Sequence, residues 1–148
     1  MRELDQSAIE AFLNGLTIGH LGTVRQGRPY IVPIAFLYEH QTVYFATEPG
    51  GKLGDLQSGE EACFEADEYC PEIGEYRSVI GYGQAKVVQD PQERERILRR
   101  LIGRFERQAS SFVTSKDYPA HAMAEHEQPQ ELMVVAMPLQ ELHGREAA

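Results

Sequence analysis

Residues 17–47 read "TIGHLGTV", "RQGR", "PYIVPIAFLY", "EHQ", "TVYFAT" without a break. Three strand-length apolar runs, 17–24, 29–38 and 42–47, are joined by connections too brief to hold a helix. Links this short join antiparallel neighbours, so the stretch dictates a β-meander around which the rest must be arranged. Pro33 removes a ladder donor from the second run and places it at a sheet edge or on a bulge.

Further β-like runs follow at 61–67 ("EACFEAD"), 75–88 ("EYRSVIGYGQAKVV") and 131–138 ("ELMVVAMP"). Gly81 and Gly83 mark a bend or a close backbone approach in the longest of them. Ser7 and Glu10 have capping-box spacing, and Ile9, Phe12, Leu13 and Leu16 then share one helical face that Asn14-Gly15 punctuates. Asp90-Pro91-Gln92-Glu93 opens a second helix with an apolar face of Ile97, Leu98, Leu101, Ile102 and Phe105. A helical turn is expected over 52–58, and 109–130 has no regular pattern. The expected architecture is mainly β with flanking helices: one domain over 1–148, a small six-stranded barrel, in which full closure would also remove exposed edges.

The 148 residues, 42% hydrophobic and 25% charged, suit one globular domain. A formal charge of −9 argues against coating nucleic acid or an acidic membrane. No apolar run approaches the roughly 18 residues of a membrane span, and no signal peptide is evident, so a soluble, cytoplasmic protein is expected. Cys63 and Cys70 form no CxxC pair: Cys63 reads as a small buried hydrophobe, Cys70 as an exposed loop residue.

The stretch "ATEPGGKLGDL", 46–56, is the candidate for chemistry. Gly50-Gly51 permits close backbone approach, Lys52 brings a fixed charge, and Thr47 offers a hydroxyl. These suit either an ordinary surface turn or a seat for an anion; the spacing is not that of a P-loop. His20 interrupts an apolar strand, as a core histidine or the border of a pocket. His121 and His126 lack zinc-helix spacing, no metal site is assigned, and neither cysteine has an identifiable histidine partner. Tyr30, Phe36, Tyr44, Phe45, Phe64 and Tyr82 are read mostly as core, though such walls also suit a flat apolar cofactor.

Taken in order, "GHLGTVRQGRPYIVPIAFLYEHQTVYFATEPGGKLGDLQSGEEACFEAD", "YRSVIGYGQAKVV" and "LMVVAMPLQELHG" resemble the FMN-binding split-barrel family of pyridoxamine-phosphate-oxidase-like proteins, nearest its Nim-type (nitroimidazole-resistance) branch. The resemblance implies a dimer of six-stranded split barrels with FMN in clefts between the subunits. It implies that Val32, Pro33, Ile34, Ala35 and Phe36 run along the flavin, that Ala46 and Thr47 end the next strand with Thr47 on the phosphate, and that Gly51 and Lys52 complete the phosphate seat. Ser78, in "YRSV", matches a polar flavin contact, and Arg77 aligns with an arginine beside it. The family's oxidases carry a C-terminal tryptophan segment, whereas this chain has no tryptophan and ends "LHGREAA"; vitamin B6 oxidation is not expected. The expectation is an FMN-dependent oxidoreductase taking reducing equivalents from a donor to a small organic acceptor, with no catalytic residue assigned. Alternatives are a non-catalytic flavin or haem module with His20, His121 or His126 as axial ligand, a deazaflavin protein, or a dimeric barrel with a purely structural role.

Overall fold

A computed structural model describes residues 2–48, 56, 59–107 and 132–147, the side chains of 105–107 excepted. Strand β1 (Arg2–Leu4) leads into helix α1 (Gln6–Asn14). Its N-cap is Asp5, in an extended conformation, whose Oδ1 accepts from the Ala8 amide at 2.8 Å. Ser7, which has the capping-box spacing, therefore lies two residues too late to cap and sits inside the helix. Ile9, Phe12 and Leu13 are buried as the helical period requires.

Strands β2 (Ile18–Arg25) and β3 (Arg28–Ala35) form the expected hairpin, in register from Ile18↔Ala35 to Arg25↔Arg28. Its turn holds Gln26 and Gly27 at positive φ. The chain then bends at Phe36 and enters β4 (Leu37–Glu39), which pairs with β5 (Thr42–Thr47). The 29–38 run is thus two strands, because it leaves one sheet and joins another. The 75–88 run divides likewise: β6 (Ala62–Cys70) pairs with β7 (Glu75–Gly83), and the chain crosses to β8 (Lys86–Val87). Helix α2 (Pro91–Arg107), with Asp90 at its start, is followed by β9 (Met133–Pro138) and β10 (Glu141–Ala147).

The fold is mainly β and split. One sheet has the order β1-β10-β7-β6-β2-β3, the other β4-β5-β9-β8. Both are open among the described residues, as a split barrel requires, and β3 is an edge strand among them, where Pro33 costs no ladder bond on its outer side. Gly83 marks the crossing. A Cβ there would lie 2.0 Å from the Pro138 carbonyl oxygen, so β7 passes directly over the end of β9 as its glycines foretell.

The main core fills the space between the sheets, with Leu21, Phe64 and Val79 facing Val43, Phe45 and Met137, and α1 closing one end. A second cluster packs Ile97, Leu98 and Leu101 of α2 against Leu37 and Val134 of the smaller sheet. Polar clamps hold α2 there: Glu39 receives both Arg96 and Arg100, and the buried Arg104 donates to the Asn14 and Leu16 carbonyls. Among the described residues no helix is long and apolar enough to cross a membrane.

Candidate functional site

The seam where β3 hands over to β4 is fixed from beneath. Phe36 is completely buried and meets Phe64 edge-to-face, 4.9 Å between centroids. Gly19 makes room for that ring, since a Cβ there would stand 2.5 Å from Phe64 Cε2. Strand alternation then sorts the candidate residues. Val32, Ile34 and Phe36 turn toward the core, so Ile34 and Phe36 have only backbone groups left for a ligand. Pro33 and Ala35 point the other way, Pro33 exposed and Ala35 packed partly against the α2 cluster.

Across the seam, β3 approaches β5. There Ala46 joins Ala35 in packing on the second cluster, and Thr47 ends the strand half-exposed, its hydroxyl donating to the Glu48 carbonyl at 3.3 Å. The fold therefore sets Ala35, at the end of β3, and Ala46 on the same cluster, with Thr47 next along β5. Gly51 and Lys52, with Gly50, lie outside the described residues, as do His121 and His126.

Ser78 sits on β7, with β6 and β2 between it and β3. Its cross-strand partners are Asp67 and Arg145. Register puts Ser78 on the same outer face of the six-stranded sheet as Pro33 and Ala35, but no described contact brings it to them. Arg77, its neighbour, faces oppositely and approaches Glu75 at 3.8 Å.

Between those strands the outer face carries groups that sequence pattern alone leaves scattered. His20 is not a core histidine: its Nδ1 lies 3.1 Å from Glu65 Oε1, with 43% of its side chain exposed. Burial pushes the Glu65 carboxyl above its ordinary range, and the neighbouring Asp67 carboxylate adds to this while His20 opposes it. Beside them an open, largely apolar groove of about 510 Å³ runs past Gly22, Tyr30, Ile31, Cys63 and Tyr82. Tyr30 and Tyr82 line this groove and are partly exposed rather than core, and Cys63 is half-buried. Cys70 ends β6 rather than lying in a loop. The available signal for the groove was the outward parity of Ile31 and Tyr82 around the small Gly22.

The model of the pyridoxamine 5'-phosphate oxidase family matches residues 5–146, nearly the whole chain. The protein belongs to that family. No curated protein matches it. Among solved structures, a FAD-binding protein of Mesorhizobium loti superposes with a TM-score of 0.75 at 18% identity, covering 99% of this chain and 98% of that one. A proposed 5-nitroimidazole antibiotic resistance protein of Bacteroides thetaiotaomicron gives 0.74 at 21% identity, over 98% and 86% of the two chains. A FAD and haem binding protein of Mycobacterium smegmatis gives 0.69 at 17%, over 98% and 73%. At these identities the likeness shows that the pyridoxamine-phosphate-oxidase-type split barrel is shared.

Proposed function

We propose that this family member is a flavoprotein: an FMN-dependent oxidoreductase, distinct from vitamin B6 oxidation, that passes reducing equivalents from a donor to a small organic acceptor. The observation that carries the reading is the β3–β5 seam, where an edge strand with a free backbone side meets a strand ending in a half-exposed hydroxyl. Its donor set fits a flavin phosphate ester: polar backbone, small Ala35 and Ala46 that permit close approach, and Thr47. Three superposable relatives named for FAD, for FAD with haem or for nitroimidazole resistance support it.

When bound, the flavin supplies the electron transfer, while the protein positions it and controls access. In this reading Lys52 neutralises the phosphate, Thr47 and the Gly51 amide donate to its oxygens, and Val32–Phe36 run along the ring system. Pro33 and Ala35 offer side-chain contact; Ile34 and Phe36 offer backbone alone. Ser78 donates to the polar rim from the outer sheet face. That face also exposes Val24, Ile31 (67%), Ile80 and Tyr82. So much apolar surface in one place supports a homodimer with the cofactor at its interface, and the two unbridged cysteines suit a reducing cytoplasm.

Purified protein should show a flavin absorbance band that survives removal of free FMN, and Lys52→Ala should weaken retention by about tenfold or more, the loss of one charge-assisted contact. Mass analysis of the released cofactor separates FMN from FAD, and sedimentation reads the dimer. No flavin band with or without added FMN would sink the proposal. A haem band would instead favour the non-catalytic haem reading, for which the half-exposed His20 is the described ligand candidate.

A further inference from the structure

His20 and Glu65 are direct cross-strand partners on β2 and β6, and Asp67 follows Glu65 by two residues on the same face. One ligand atom from each of the three lies within 4.8 Å of the other two. We propose that His20, Glu65 and Asp67 form a divalent transition-metal site, taking Zn²⁺ or Mn²⁺ through one imidazole nitrogen and two carboxylate oxygens.

Two observations converge on this. The ligand set is mixed: an imidazole with carboxylates suits first-row divalent ions, whereas an all-oxygen set would favour calcium or magnesium. Its geometry is set by strands, not loops. Register fixes His20 against Glu65, and the period of two fixes Asp67 beside it. The His20 Nδ1 to Glu65 Oε1 distance of 3.1 Å is that of two neighbouring ligands on a metal about 2.0–2.2 Å from each. A rotamer adjustment of Asp67 brings in the third. In the single chain 43% of the His20 side chain is exposed, so the remaining coordination positions open onto the outer face of the sheet. The cluster shares the outer face with Pro33 and Ser78, but the inference does not rest on flavin binding.

The test is a titration of the full-length chain, first dialysed against a chelator, with Zn²⁺ by calorimetry and with Co²⁺ by its visible ligand-field bands. The expected result is one ion per chain and at least a tenfold loss of affinity in Glu65→Gln, in Asp67→Asn and in His20→Ala. Circular dichroism confirms that each variant is folded. Absence of saturable binding overturns the proposal. So does binding of unchanged affinity in Glu65→Gln and Asp67→Asn, which would assign the ion to groups elsewhere in the chain. Flavin retention, read separately at its own absorbance band, distinguishes failure here from failure of the flavoprotein reading.

Discussion

Replacing Phe36 by alanine tests whether the seam is held by its buried ring. The side chain is fully buried and pairs edge-to-face with Phe64 at 4.9 Å, a ring that already fills the space Gly19 leaves on β2. A phenylalanine buries about 150–250 Å², which at about 25 cal/mol per Å² corresponds to ~4–6 kcal/mol of transfer free energy. Alanine retains part of this, but the cavity adds a further cost, so Phe36→Ala should lose about 3–5 kcal/mol. Phe36→Leu keeps most of the volume and should lose under about 1.5 kcal/mol. In a domain of this size the alanine change corresponds to a fall in Tm of about 6–20 °C. Urea denaturation with an unchanged m-value measures it directly. A loss below about 1 kcal/mol, well short of the range for Phe→Ala, would show that strand pairing alone holds β3 and β4. The ring would then have no part in presenting the seam.

Gly83→Ala should destabilise by about 1–3 kcal/mol, since its new methyl meets the Pro138 carbonyl and β7 must lift from β9; a melt superimposable on the parent would mean that the crossing is looser than described. Glu65 binds a proton more readily folded than unfolded, so its contribution to stability is complete below the ordinary carboxyl value of 4.5 and is lost as pH rises through the higher folded value. Glu65→Gln lacks that titration: its Tm should gain on the parent's as pH rises from acid to neutral, and parallel Tm-versus-pH curves would contradict the shift.

The strands were legible where a period of two or an apolar run marked them, and all six expected runs are strands. What the pattern did not reveal was where a run changes sheets. "PYIVPIAFLY" is apolar throughout because β3 faces the main core while β4 serves both clusters, so hydrophobicity has no reason to falter at Phe36. Strand β10, "ELHGREA", escaped for the opposite reason: it is paired on both sides yet largely exposed, and backbone bonds leave no mark on composition. For the site, family order brought Ala35, Ala46 and Thr47 to one seam. It did not show that Ile34 and Phe36 are committed to the core. Nor did it show that His20 meets Glu65, a pairing that depends on the register of strands 45 positions apart in the chain.

The two strands latest in sequence are the ones on which both sheets depend. β9 lies between β5 and β8, and β10 links β1 to β7. During synthesis β5 and β1 therefore wait, edges unpaired, until 133–147 has left the ribosome. Pairings this distant in sequence form slowly, and waiting strand edges invite association with other chains. Cells making this protein quickly should thus lose more of it to aggregation than its finished stability would suggest. A truncation within 133–147 would leave the chain permanently in the state that synthesis only passes through.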